Sequence, residues 1–137
     1  MTSPAVRLYV GDARPSPRRY VVTVYGRLPV LNQLLRMHRM VRHKSLARWQ
    51  EWAMFALWAD GVPALGRVHV VCTRYAPGTR QPDVDGLAGG FKPVLDAIQA
   101  AGVVVNDDAA HVRAEYVAVR CPAGEARIEL VIVEGMD

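Results

Sequence analysis

The sequence predicts an α+β fold in which helices pack on one mixed sheet in a single domain. Short stretches of alternating apolar and polar residues, typical of strands, are separated by two longer stretches with helical character. The 137 residues match the size of one domain, and a composition of 51% hydrophobic and 22% charged residues favours a globular chain. Because no apolar run could span a bilayer and the first ten residues lack a signal-peptide pattern, we expect a cytoplasmic protein.

The chain opens with a predicted arm and a strand. Residues 1–19 contain three prolines and four arginines, and we interpret them as a basic, flexible N-terminal arm that could hold a short strand at residues 7–10. Residues 20–25 are all β-branched or aromatic, which predicts the first strand. The folded domain is therefore expected to cover residues 20–137.

A long helix is predicted next. Asn32 is a suitable N-cap, and residues 32–59 are helical in character. In the second half of this stretch, apolar residues recur at spacings of three and four, which predicts one buried face. Gly61 and Pro63 end the helix. The tryptophans assigned to the core are Trp49, Trp52 and Trp58.

The middle of the chain predicts a strand, a loop and a second helix. Residues 67–75 alternate and form the strand. Residues 79–90 are rich in glycine and aspartate, which predicts a loop. The helix that follows ends near Ala101, with Gly102 as its stop signal. Pro93 would lie in its first turn, or would kink a helix that begins earlier.

Two further strands complete the predicted fold. Residues 112–120 and 126–134 alternate on either side of a Pro-Ala-Gly turn, which predicts a terminal hairpin. The element order is β-α-β-α-β-β, and we expect both β-α-β crossovers to be right-handed.

The predicted chemistry lies in two pairs of aspartates, one before and one after the second helix. In an extended loop, residues two apart point to the same side, and a divalent cation would relieve the repulsion of such paired carboxylates. Mg²⁺ prefers ligands of this type, and Mn²⁺ could substitute. Either pair alone is typical of a polar turn, whereas both pairs in a basic protein favour a metal site. Because the two loops should lie at opposite ends of the sheet, a joint site needs a short or tilted helix, or a partner chain. The pairs are Asp83 with Asp85 and Asp107 with Asp108.

Lys92 is a candidate for contact with phosphate. It lies four residues before Asp96, so the two side chains could simply pair on the helix surface. Alternatively, the ammonium group could stabilise negative charge that develops on the scissile phosphate or its leaving oxygen. The spacing favours neither interpretation.

A basic segment in the first half of the long helix predicts contact with DNA. The net charge of the chain is +4, and fifteen of its seventeen basic residues are arginine, which binds phosphate bidentately. No acidic residue interrupts the segment, so it could neutralise several phosphates, although a solvated helix face is the more usual meaning of such a run. The residues are Arg36, Arg39, Arg42, Lys44 and Arg48.

The two cysteines do not predict a zinc site. Cys72 and Cys121 form no CxxC pair and share no ligand spacing with histidine, so we expect two reduced thiols.

Two segments together resemble a known family. DVDGLAGGFKPVLDAIQAAGVVVNDDAAHV, residues 83–112, resembles the signature of the RusA-like endodeoxyribonucleases, which are common in phages and prophages. That signature is roughly D-x-D-N-L, a few residues, K-P-x-x-D-x-L, then A-G, and D-D before a strand. LPVLNQLLRMHRMVRHKSLARWQEW, residues 28–52, resembles the family's N-terminal block. The two segments lie within residues 28–112, well over half of the chain.

The resemblance implies a homodimer that binds four-way (Holliday) DNA junctions and makes paired nicks with Mg²⁺, in DNA recombination and repair. It implies no membrane and no small-molecule cofactor. The family's metal carboxylates correspond to Asp83, Asp85 and the Asp107-Asp108 pair, of which Asp108 is the first choice, and its essential lysine corresponds to Lys92. The sequence departs from the family at Gly86, where an asparagine is usual.

Three functions are weighed. The first is a metal-dependent endodeoxyribonuclease of the junction-resolving type, with Asp83, Asp85, Asp108 and Lys92 as its catalytic residues. The alternative is a non-catalytic branched-DNA-binding protein with a decayed metal site, which the departure at Gly86 favours. A small-molecule phosphoryl-transfer enzyme is disfavoured, because the sequence has no P-loop.

Overall fold

Four strands and three helices make up the part of the chain that the computed structural model describes, residues 17–106 and 108–135. The α+β class is confirmed. The predicted strand at residues 7–10, most of the predicted arm, and Asp107 lie outside the described residues. In chain order the elements are β1 (Arg19–Tyr25), α1 (Leu31–Arg36), α2 (Arg39–Ala59), β2 (Val68–Ala76), α3 (Val84–Ala100), β3 (Val112–Arg120) and β4 (Arg127–Glu134).

The strands form one mixed sheet in the order β1-β4-β2-β3. β2 and β3 are parallel, whereas β4 runs antiparallel to both β1 and β2. The predicted β3–β4 hairpin is therefore wrong, since β4 lies between β1 and β2. Composition supplies the reason: Ile128, Leu130 and Ile132 are all 0% exposed, whereas β3 buries only Val112 among its nine residues. β4 presents large aliphatic side chains to the core and takes a central position, whereas β3 has the small Ala114 and Ala118 at its inward-facing positions and forms an edge.

The predicted long helix is divided in two. α1 ends at Arg36, and the extended residues Met37 and His38 separate it from α2. His38 then starts the second helix, because its Nδ1 accepts a hydrogen bond from the backbone N–H of Met40 at 3.2 Å. No glycine or proline marks this break, so the sequence pattern did not predict it.

α2 buries a narrow stripe of one residue per turn, Trp49, Ala53 and Leu57. Trp49 is in the core as predicted, but Trp52 and Trp58 are 42% and 51% exposed. Helical geometry explains the correction, because Trp58 lies about 140° around the helix axis from the middle of the stripe, and Trp52 lies beyond its edge.

α3 begins at Val84, well inside the predicted loop of residues 79–90. Three glycines that suggest a loop are helical, and they lie three and four residues apart on one face. A β-carbon at Gly90 would lie 2.5 Å from the carbonyl oxygen of Pro29, and one at Gly89 would lie 2.8 Å from the β-carbon of Leu31. The glycines therefore let the chain before α1 approach the helix closely. Pro93 lies in the interior of α3, because the helix begins nine residues before it. Of the two predicted alternatives, the first-turn position is therefore wrong, and the helix that begins earlier is the one observed.

The core lies between the sheet and the two longer helices. Val22, Val70 and Leu130 of the sheet pack in one cluster with Leu57 and Phe91 of the helices. Of the two thiols, Cys72 is fully buried and Cys121 is half-buried, and neither forms a disulfide. Among the described residues, no helix is both long and apolar enough to cross a membrane.

Candidate functional site

Asp83 and Asp85 lie at the start of α3. Asp83 is the N-cap, and its Oδ1 accepts a hydrogen bond from the backbone N–H of Gly86 at 2.7 Å. Asp85 lies in the first helical turn, and both aspartates are exposed. Because the helix begins at Val84, the two are not presented by an extended loop as predicted, and residues two apart on a helix do not face each other.

Asp108 lies in the turn before β3. Its Oδ1 accepts a hydrogen bond from the backbone N–H of Ala110 at 3.1 Å and lies 2.6 Å from Nδ1 of His111. The hydrogen bond with His111 lowers the pKa of Asp108 below its ordinary value. Its backbone carbonyl also accepts from the N–H groups of His111 and Val112, so Asp108 organises the entry into the strand.

One protomer does not bring these two acidic sites together. β2 and β3 are parallel with Val68 opposite Val112, so Asp108 lies at the amino end of this strand pair. Asp83 lies at the other end, where β2 leads into α3. α3 has 17 residues and spans about 25 Å, so it is not the short helix that would bring Asp83 and Asp108 together. Within residues 17–106 and 108–135, no three His, Cys, Asp or Glu side chains are grouped to hold a metal.

Lys92 lies seven residues after Asp85, on nearly the same face of α3 and about 10 Å further along the axis. Its Nζ lies 3.0 Å from Oδ1 of Asp96, so the predicted surface pair is present. Both side chains also line a small cavity of about 180 Å³ between α2 and α3, together with His43 and Gln50 of α2.

The basic segment does not form one face. Arg36 ends α1, and the other four residues lie on α2. Arg39 and Arg42 lie about one turn apart on one side, whereas Lys44 and Arg48 lie one turn apart on the opposite side. Arg42 is half-buried and the others are exposed. A single straight DNA backbone could therefore contact only part of the segment.

The structure adds a pocket that the sequence interpretation missed. It has a volume of about 460 Å³ and lies at the carboxyl end of β2, between α1 and the start of α3. Asp83 lines it, so this pocket and the first acidic pair share one end of the sheet. Four arginines from four different segments line it: Arg27, Arg36, Arg74 and Arg80.

Arg74 is the buried arginine among the residues that line this pocket. It is only 6% exposed, and its Nε donates a hydrogen bond of 2.7 Å to the carbonyl oxygen of Leu28. Burial, and then the nearby positive charge of Arg27, lower the pKa of the Arg74 guanidinium. Among the described residues, no carboxylate forms an ion pair with it, and its terminal nitrogens donate to no protein acceptor.

A sequence signal for Arg74 existed. Side chains two apart along a strand point to the same face. Arg74 lies two residues after Cys72, so it occupies the same face of β2 as the residues that point into the core. An arginine at a core-facing position is rare unless its charge is paired, so this position indicates a role other than packing. The buried series in β2 is Val68, Val70, Cys72, Arg74 and Ala76.

No known family model matches the chain, and no curated protein matches it significantly. The family resemblance therefore depends on the order and spacing of motifs alone.

Proposed function

We propose that this protein is a Mg²⁺-dependent endonuclease that cuts branched DNA, including four-way junctions, by paired nicks. The proposal rests on one observation: acidic and basic side chains meet at the same end of the sheet. There Asp83 lines an arginine-rich pocket, and Asp85 follows in the first turn of α3. A nuclease for a polyanion needs carboxylates to hold a metal and cations to hold phosphates. This end of the molecule offers both.

Asp83 and Asp85 fit a magnesium site of the open type. Mg²⁺ commonly binds one or two protein carboxylates and completes its shell with water and substrate oxygens. Only Oδ1 of Asp83 is engaged in the helix cap, and Asp85 is exposed, so ligand oxygens are available. When bound, the metal would polarise a phosphodiester and lower the pKa of a water nucleophile.

Lys92 would stabilise negative charge on a phosphate of the DNA. Its side chain is 63% exposed, and it lies on nearly the same face of α3 as Asp85. A strand crossing the helix at its first turns could contact both residues, with the ammonium group close to a phosphate that gains charge. The pair with Asp96 would then orient the lysine between turnovers.

A homodimer would explain the position of Asp108. Since Asp108 lies far from Asp83 within one chain, it would complete the acidic set only at the start of α3 in a second protomer. Two-fold symmetry also matches a four-way junction, which presents equivalent strands to both subunits. Further support for a partner is an exposed aromatic face on α2, an unusual surface for a monomer. Its residues are Trp52, Phe55 and Trp58.

A second candidate is a branched-DNA-binding protein without activity, acting in the cytoplasm as the nuclease would. Gly86 favours it, because the asparagine that the related motif carries is missing beside the first acidic pair. A β-carbon at position 86 would lie 3.0 Å from Oδ1 of Asp83, so the glycine leaves this carboxylate in its capping position. Such a protein would keep the arginines and lose the metal.

Strand cleavage on a labelled four-way junction separates the two functions. A linear duplex of the same sequence serves as control, and each substrate is incubated with Mg²⁺, Mn²⁺ or EDTA. Paired nicks on the junction only, lost in EDTA, are the result that we expect. Tight, salt-sensitive binding with no product in either metal would overturn the nuclease and favour the binding protein.

A further inference from the structure

The pocket around Arg74 contains a buried positive charge that the protein does not neutralise. An ionised group removed from water is costly unless it is paired, and here the other lining charges worsen the cost because most are also positive. Four arginines line the pocket against one carboxylate, that of Asp83. The fold therefore maintains an arrangement that an anion would stabilise.

We infer that this pocket binds a phosphate group of a DNA strand, with Arg74 at its base and Arg27 and Arg80 at its rim. The inference rests on the proposed function. It deepens that function by assigning contact with a DNA phosphate to arginines that lie outside the basic segment. Arginine suits this ligand because its planar fork of donors matches phosphate oxygens. Arg74 has one donor fixed on Leu28, which leaves its terminal nitrogens for the ligand.

Size and shape favour a strand over a free phosphate ion. A volume of about 460 Å³ is roughly fifteen times that of a water molecule, far more than one phosphate fills. The rim arginines are exposed, and they come from the loop after β1 and the loop after β2. A strand passing over this opening could insert one phosphate and keep its sugars and bases outside.

Two exposed arginines allow a test that should not affect folding. Arg27→Ala with Arg80→Ala removes two charges from the rim and leaves buried Arg74 in place. Arg67→Ala with Arg113→Ala is the matched control, because both residues are exposed and lie at the opposite end of β2 and β3. Circular dichroism would check that all three proteins are folded.

The first measurement is binding of the four-way junction in EDTA as a function of salt, followed by fluorescence anisotropy. Loss of one phosphate contact should make the slope of log K against log salt less steep by about 1 and raise Kd by about tenfold. We expect both changes in the pocket variant and clearly smaller ones in the control. Equal changes in the two variants, or none in the pocket variant, would overturn the inference.

The second measurement is thermal unfolding with inorganic phosphate against sodium chloride at matched ionic strength. Phosphate should raise the Tm of the wild type and of the control more than that of the pocket variant. A Tm effect without any change in DNA binding would mean that the pocket holds free phosphate, which contradicts the assignment to DNA. Since both measurements omit divalent metal, a protein that binds as expected but never cuts would disprove the nuclease and leave the pocket assignment standing.

Discussion

Gly90 lies so close to Pro29 that a β-carbon on residue 90 would come within 2.5 Å of the Pro29 carbonyl oxygen. This contact fixes the chain before α1 against the first half of α3. It therefore holds together two of the segments that line the arginine pocket.

Gly90→Ala should destabilise the protein by about 1–3 kcal/mol, because a backbone carbonyl cannot move aside. Gly86→Ala is the matched comparison, since its β-carbon would lie 3.0 Å from the movable Asp83 carboxylate and at an ordinary contact distance of 3.6 Å from the Pro82 β-carbon. Alanine is favoured over glycine inside a helix by about 1 kcal/mol, so this second variant should be close to neutral. Urea unfolding measures both. Equal unfolding free energies would show that the close approach to Pro29 is not a constraint.

Asp85→Asn should lower the rate of junction cleavage by roughly 100-fold or more, because the amide is a poor magnesium ligand. Since Asp85 is exposed, the unfolding free energy should change by less than about 0.5 kcal/mol, and junction binding in EDTA should persist. Asp60→Asn, at the exposed C-terminus of α2, is the control and should cut normally. Wild-type cleavage by Asp85→Asn would remove this residue from the metal site.

Lys92→Gln should lower cleavage by about 100-fold while the unfolding free energy changes by less than about 1 kcal/mol, because its pair with Asp96 is exposed to solvent. Asp96→Asn breaks the same pair but keeps the lysine charge, so it should retain most activity. Single-turnover cleavage and urea unfolding give the two quantities. If both variants lose activity equally, the pair matters through structure and not through the charge of Lys92.

The pKa of Asp108 should lie below its ordinary value of 3.8 in the folded protein, because His111 hydrogen-bonds the carboxylate. Folding then favours the ionised form, so the stabilisation is present above the unfolded pKa and is lost as pH falls through the lowered pKa. His111→Gln should move the pKa of Asp108 back towards 3.8. A carboxyl ¹³C NMR titration measures this, and Glu134, whose pKa is lowered by Arg18, should not respond. An unchanged Asp108 titration would contradict the role of His111.

Cys72 should be inert in the folded protein, because burial raises the pKa of its thiol to about 12. Half-buried Cys121 should be alkylated by iodoacetamide under mildly alkaline conditions, and both cysteines should react after unfolding in guanidinium. Peptide mass spectrometry identifies the modified residue. Rapid native labelling of Cys72 would mean that the sheet opens far more readily than its packing suggests.

Local patterns were sufficient for most of the elements. The alternation in β2 and β4 and the apolar spacing in α3 follow from the periods of strand and helix, so the α+β class could be predicted, as could the element order except for the division of the first helix into α1 and α2. The predicted second strand, residues 67–75, differs from β2 by one residue at each end. The aspartates and the basic segment were also recognisable, because residue type and spacing are visible in a single chain.

Only the tertiary structure decided how these parts meet. Competition for the core put β4 between β1 and β2, since burial depends on all strands together and not on the turn that joins two of them. A glycine run that suggests a loop is helical, and the close approach of Pro29 explains why glycine is required at position 90 of that helix. The parallel pairing of β2 and β3 separated Asp108 from Asp83, and the same topology brought Arg27, Arg36, Arg74 and Arg80 to one pocket. Residues 47 positions apart, such as Arg27 and Arg74, leave no local pattern, because their proximity is created by the packing of the whole sheet.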